Sequence, residues 1–263
     1  MSASSKKTDD TGEPHTDERS ASVDPSEIAG FEALADAWWD ADGPFRPLHR
    51  FNPVRVGFIR DRVCAHFDCQ TAVREPLKGL SLLDIGTGGG LVAEPMARMG
   101  ATVTGIDPSP KNIAVAQAHA RQMELEITYR AETAEALAEE DADFDIVLAL
   151  EVVEHVSDLG AFLDAAGELL RPGGLLITAT LNRTARAYAL AIIGAEYVLR
   201  WLPRGTHDWE KFVTPEELTT ALTQTGLTVE TVAGLSYNPL TASWRVSGDT
   251  AVNYAVVATR PRP

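Results

Sequence analysis

An apolar run ends in four glycines within five residues at Leu82-Leu83-Asp84-Ile85-Gly86-Thr87-Gly88-Gly89-Gly90-Leu91. Glycine tolerates positive φ and carries no Cβ, so such a turn lets a strand bend sharply into a helix with a ligand close against the main chain. A second apolar run, 102–106, ends at Asp107. An acid at the end of the second strand, about 20 residues past a glycine turn, is where α/β nucleotide folds hydrogen-bond two ribose hydroxyls. Together the two features point to a nucleoside ligand rather than to a bare strand-to-helix turn. A third set lies further on, where Glu151, Glu154 and His155 form E-x-x-E-H directly after the apolar run 144–150. The end of a buried strand is where α/β sheets place their ligands. These side chains could accept a proton, hold a divalent cation (Mg²⁺ through oxygen, Zn²⁺ favouring the histidine), or simply be a solvated acidic turn.

The elements that must position these groups alternate along the chain. Strands are expected at 80–85, 102–106, 126–129, 144–150 and 175–180. Helices are expected at 91–99, from Ser109-Pro110 to about 123, and around 162–170. This alternation predicts a parallel sheet with helices on both faces. Thr214-Pro215-Glu216-Glu217 reads as a capping box opening a further helix that Gly226 ends. Runs 227–232 and 252–259 complete a seven-strand reading. Upstream, Pro25 opens a helix with Ile28, Phe31, Leu34 and Trp38 at three- and four-residue steps, and Asn52-Pro53 reads as the start of a second helix bearing Arg55.

The 263 residues, 44% of them hydrophobic, suffice for one large α/β domain. We expect a disordered tail at 1–25 and one domain at 26–263, with a helical cap at 26–79 and an insertion at 183–212. A formal net charge of −15 argues against a nucleic-acid partner, because phosphate binding needs clustered cations. Cys64 and Cys69 suggest neither a disulfide framework nor a metal cluster. The first 26 residues are polar, without the apolar core of a signal peptide.

Three motifs in order resemble the class I S-adenosylmethionine-dependent methyltransferases. They are the glycine turn with its preceding Asp84, the strand Asp143-Phe144-Asp145-Ile146-Val147-Leu148-Ala149-Leu150, and the turn Leu169-Leu170-Arg171-Pro172-Gly173-Gly174. A narrower resemblance rests on Phe31-Glu32-Ala33-Leu34-Ala35, Trp38-Trp39-Asp40, Pro47-Leu48-His49-Arg50-Phe51-Asn52-Pro53, Glu151-Val152-Val153-Glu154-His155-Val156, Thr180-Leu181-Asn182-Arg183, Gly194-Ala195-Glu196-Tyr197, Gly205-Thr206-His207-Asp208-Trp209 and Tyr237-Asn238-Pro239. From residue 28 onward the chain is similar to the bifunctional O-methyltransferases of ubiquinone biosynthesis.

That resemblance implies a Rossmann-like fold and two O-methylations of polyprenylated phenol or quinol substrates, the second converting 3-demethylubiquinol to ubiquinol. Another small phenolic or lipid acceptor is the alternative. A NAD-dependent dehydrogenase is disfavoured by the lack of a recognisable Tyr-x-x-x-Lys pair. The resemblance implies cofactor contacts at Arg55, Gly86, Asp107 and Leu150. Arg55 would meet the methionine carboxylate, and its competing reading is a solvated helix charge. Asp84 either braces the turn or meets the cofactor's amino group, and Gly88 belongs to the same turn. Glu132 stands where the superfamily often reads the adenine amino group. Thr87 departs from a position where cysteine is frequent.

A phenol has a pKa near 10, so about one molecule in a thousand is ionised at pH 7, and removing that handicap is worth up to about 4 kcal/mol. His155 is the candidate base, and Glu151, Glu154 and His155 are candidate ligands for a Mg²⁺ or Zn²⁺ that would do the same by coordination. His207 and Asp208 could close over the substrate. The apolar run 188–202, flanked by Arg183, Arg186, Arg200 and Arg204, is too short and too charged to span a bilayer. It suits a lid, or an interfacial helix on an anionic membrane surface. The expected location is the cytoplasm, peripherally on the inner face of the membrane, in contact with a ubiquinone-biosynthesis complex.

Overall fold

The computed structural model describes residue 22 and residues 25–189, 209–238 and 241–263. The expected closing pair His207 and Asp208, and most of the 188–202 run, lie outside these residues.

The α/β alternation is realised as expected. In chain order the elements are α1 (Pro25–Leu34), α2 (Arg46–Phe67), β1 (Ser81–Ile85), α3 (Ala93–Arg98), β2 (Thr102–Ile106), α4 (Pro110–Gln122), β3 (Thr128–Arg130), α5 (Ala134–Ala138) and β4 (Phe144–Leu150). Then follow α6 (Leu159–Glu168), β5 (Leu170–Leu181), α7 (Ala185–Ala187), α8 (Pro215–Gln224), β6 (Thr228–Asn238), β7 (Ser243–Ser247) and β8 (Asn253–Thr259). One sheet runs in the order β3-β2-β1-β4-β5-β8-β6-β7. The first five strands in that order are parallel, β8 pairs antiparallel with β5, and β6 and β7 follow in further antiparallel pairs, so β6 runs in the direction of the first five.

The sheet has eight strands where seven are expected. The extra one, β7, reads Ser-Trp-Arg-Val-Ser and is half-exposed at the sheet edge, so it lacks the continuous apolar run that marks a buried strand. Another departure concerns α2, which starts at Arg46 with Pro47 in its first turn and continues through Pro53. Asn52 does not cap a helix; its side chain donates to the Leu91 carbonyl (2.6 Å), tying α2 to the start of the helix after β1.

Residues alternate between two cores, as a pleated sheet requires. Leu82, Leu148 and Leu150 face α2, where Phe51, Phe58, Ile59 and Val63 are buried with them. Leu83, Ile85, Val147 and Ala149 face the other way, onto Phe162 and Leu163 of α6 and Leu218 and Leu222 of α8. A smaller core of Ala35, Trp38, Phe45 and Leu91 attaches the N-terminal cap. Ser22, inside the segment expected as tail, is buried, and its N–H donates to Glu135 (3.2 Å).

Candidate cofactor and acceptor site

The C-terminal ends of β1, β2 and β4 converge on one cleft of about 100 Å³. Gly86, Asp107, Glu132, Glu151 and His155 line it, with Ile28 of α1 in its wall. Five residues singled out from distant parts of the sequence are thus neighbours, because strand order places β1 between β2 and β4.

The glycine turn is built on conformations that side chains disfavour. Gly86, Gly88 and Gly90 have φ of +69°, +53° and +87°. A Cβ on Gly86 would lie 2.5 Å from the Val152 side chain. Here the packing of β1 against the segment after β4 demands glycine as strictly as any ligand could. Asp84 braces the turn by accepting from the Thr87 hydroxyl (2.8 Å). Burial pushes its carboxyl up to about 6, against the opposing pull of Thr87 and Arg55.

Asp107 sits deeper than a bare ribose ligand would. It accepts from the N–H of Gly88 (3.0 Å) and Ser109 (2.9 Å) and from the Asn112 amide (3.2 Å). Burial raises its pKa and those three donors oppose the rise. It therefore fixes the glycine turn to the start of α4, which Ser109 caps, while still lining the cleft. Glu132 also lines the cleft and accepts from Arg130 (3.0 Å).

Arg55 is buried, 5% exposed, on the α2 face of the sheet. Its Nη2 donates to Asn52 (3.0 Å), its guanidinium lies 5.2 Å from the centre of the Phe51 ring, and its Nε has no hydrogen-bond partner. Burial lowers its pKa, while the negative fields of Glu151 and Asp84 hold it up. A buried cation with an unused donor is primed for an anion, so the solvated-charge reading does not describe it. Arg55, Leu150, Asp84, Gly88 and Glu154 lie outside the cleft lining. Leu150 ends β4 inside the core facing α2.

Glu151 follows β4 with φ +56°, a left-handed conformation uncommon for a non-glycine residue. Its Oε1 is buried without a partner. Burial first, then the adjacent Glu154 carboxyl, push its pKa up to about 7, against Arg55 and His155. Glu154 accepts from the Thr180 hydroxyl (2.7 Å). Among the described residues no three His, Cys, Asp or Glu side chains are gathered as a metal-binding group. With Glu154 directed to Thr180, the E-x-x-E-H donors do not fit a metal centre in this arrangement.

Sequence reasoning missed Trp38, Trp39 and Asn112. Trp38 covers Gly88 and Gly89, and its indole N–H donates to Asn112 (2.9 Å), which holds Asp107. Spacing leaves the partner of the Trp38 face open between the core and the mouth of the cofactor site, and nothing in the sequence shows its bond to Asn112.

A family model described as "Methyltransferase domain" matches residues 59–232. The chain is 58% identical over 240 residues to the ubiquinone biosynthesis O-methyltransferase of Methylobacterium nodulans, covering 91% of this chain and 96% of that one. It is 56% identical to the protein of the same name from Brucella anthropi, over 94% and 99%. In fold it is similar to magnesium protoporphyrin IX methyltransferase from Synechocystis PCC 6803 (TM-score 0.63, 19% identity, 88% and 94% of the two chains). The glycine turn, the acid after β2 and the order of the sheet agree with these matches, and the chain belongs to the ubiquinone biosynthesis O-methyltransferases, of the class I S-adenosylmethionine-dependent methyltransferase fold.

Proposed function

We propose that the cleft at the ends of β1, β2 and β4 transfers a methyl group from S-adenosylmethionine to a phenolic oxygen of polyprenylated intermediates of ubiquinone biosynthesis, at both O-methylation steps. The observation that carries this reading is the convergence of Gly86, Asp107, Glu151 and His155 on one cleft. The cofactor fits the residues present, since Gly86 and Asp107 line the cleft and Arg55 keeps a buried, unused N–H. When bound, it supplies an electrophilic methyl on a sulfonium.

Within this reading Gly86 lets the backbone approach the cofactor, Asp107 takes the ribose hydroxyls, and Arg55 takes the carboxylate, with Asp84 bracing the turn beneath. Leu150 contributes from the end of β4. His155 would accept the phenolic proton on an imidazole nitrogen, leaving an ionised oxygen to take the methyl group. Incubating the chain with methyl-labelled S-adenosylmethionine and a short-chain demethylubiquinol tests this. Label in the quinol is expected, and label reaching only other phenols or lipids would favour the alternative acceptors.

The acceptor's polyprenyl tail motivates a peripheral position on the inner face of the membrane, within reach of other enzymes of the same pathway. Among the described residues no helix is long and apolar enough to cross a membrane. Tyr188 and Trp209, which flank the run 190–208, are both exposed and meet edge-to-face at 6.3 Å. Exposed aromatics beside Arg186 suit an anionic interface. Sedimentation with phosphatidylglycerol vesicles should fall when Tyr188 and Trp209 are both changed to Glu. Unchanged sedimentation would remove this surface from the reading.

A further inference from the structure

The N-terminal cap reaches the glycine turn through two adjacent tryptophans, each with its own set of bonds. Trp38 lies against the turn so closely that a Cβ on Gly88 would come within 2.5 Å of its six-membered ring. A Cβ on Gly89 would come equally close to the Trp38 Cβ. The Trp38 indole stacks on Phe45 (3.8 Å between centroids, 4° between planes). Its N–H goes to Asn112 Oδ1, and the Asn112 amide continues to Asp107. Trp39 donates its indole N–H to the Gly89 carbonyl (2.9 Å) and stacks face to face on His119 (3.4 Å, 7°). His119 Nδ1 is bonded to Glu94 Oε1 (2.5 Å), a fully buried carboxylate that also binds Arg98 (2.9 Å). Asn112 and His119 stand seven residues apart on α4, so one helix face carries both anchors.

We propose that Trp38 and Trp39 are positioning residues that hold the cofactor turn in its binding conformation, and that Gly88 is glycine in part to admit Trp38. This rests on the functional reading above. The two indoles between them fix the Gly89 carbonyl and, through Asn112, the Asp107 carboxylate. Asp107 and Asn112 line the cleft, the Gly89 carbonyl belongs to the turn that follows Gly86 in its wall, and neither tryptophan is required to touch the acceptor. Losing either indole N–H therefore weakens cofactor binding and leaves turnover at saturation intact.

The test is calorimetric titration of S-adenosylhomocysteine into the full chain and its variants, beside methyl-transfer kinetics. Trp39→Phe and Trp38→Phe keep a ring and lose one hydrogen bond each. Each should weaken binding roughly three- to tenfold, with kcat at saturating cofactor and the acceptor KM both within twofold of the parent. Gly88→Ala should weaken binding further, and Trp38→Leu in the same chain should recover at least threefold of that loss by removing the ring in the way. Non-additivity of this kind marks direct contact. If Trp39→Phe and Trp38→Phe bind within twofold of the parent, or if Trp38→Leu leaves the Gly88→Ala defect unchanged, the proposal is overturned. A parent chain that bound no S-adenosylhomocysteine would instead overturn the functional reading.

Discussion

His155 and Asp84 show how far a single side chain can be held to account. Asp84 stands near the end of β1 and His155 five residues past the end of β4, and His155 lines the cleft while Asp84 braces the turn beside it. For His155→Ala we expect kcat to fall by about 10² to 10⁴, the usual range for a lost general base. S-adenosylhomocysteine affinity should stay within threefold, because the turn and Asp107 are untouched. Asp84 makes a different prediction, in stability against pH. Burial raises its pKa from 3.8 to about 6, so the folded chain holds that proton more tightly than the unfolded one. Stability from this group is complete below pH 3.8 and declines as pH rises through 6, by roughly 3 kcal/mol in all at 1.36 kcal/mol per unit. Asp84→Asn can still accept from Thr87. Denaturant midpoints measured from pH 4 to 7.5 should therefore fall less with rising pH in Asp84→Asn than in the parent. Parallel curves would show that Asp84 does not titrate in this range.

At the scale of elements, helix α8 illustrates what local sequence determines. The Thr214 hydroxyl accepts from the Glu217 N–H (3.2 Å) and the Glu217 carboxylate accepts from the Thr214 N–H (2.9 Å), the reciprocal box legible in Thr-Pro-Glu-Glu. Thr214→Ala should cost about 1 kcal/mol in denaturant unfolding with little effect on cofactor affinity. The central parallel strands β1, β4 and β5 are equally legible, because burial on both faces writes a continuous apolar run. Where tertiary contacts decide, sequence was a weaker guide. Asn52-Pro53 has the form of a helix start, yet α2 runs through it because Asn52 is bound to Leu91 and Phe51 and Phe58 are buried against the sheet. Strand β7 went unread because its alternating polar residues serve a half-exposed edge. In the site, Gly86, Asp107 and His155 were found because strand ends and glycine turns are local signals. The partnership of Trp38 and Trp39 with residues 50 to 80 positions away was not, because no local pattern encodes which surface a helix face will cover.

Across the whole molecule, a chain with a net charge of −15 buries one cation among its described residues, Arg55. Arg55 stands among the fields of Asp84 and Glu151 on the α2 face, beside the ends of β1 and β4. Arg55→Leu should raise the cofactor's dissociation constant by at least tenfold, since charge-assisted hydrogen bonds exceed neutral ones. An equal affinity in calorimetry would return Arg55 to a purely structural role. The central claim, that this cleft methylates a phenolic oxygen with His155 as proton acceptor, is tested most directly by one assay. Label transfer from S-adenosylmethionine to a short-chain demethylubiquinol should be measured for the parent and His155→Ala, in EDTA and after adding back Mg²⁺ or Zn²⁺. The account predicts transfer by the parent that survives EDTA and falls at least a hundredfold in His155→Ala. Transfer lost in EDTA and restored by either ion would make Glu151, Glu154 and His155 metal ligands in the working enzyme, and undiminished transfer by His155→Ala would contradict the account outright.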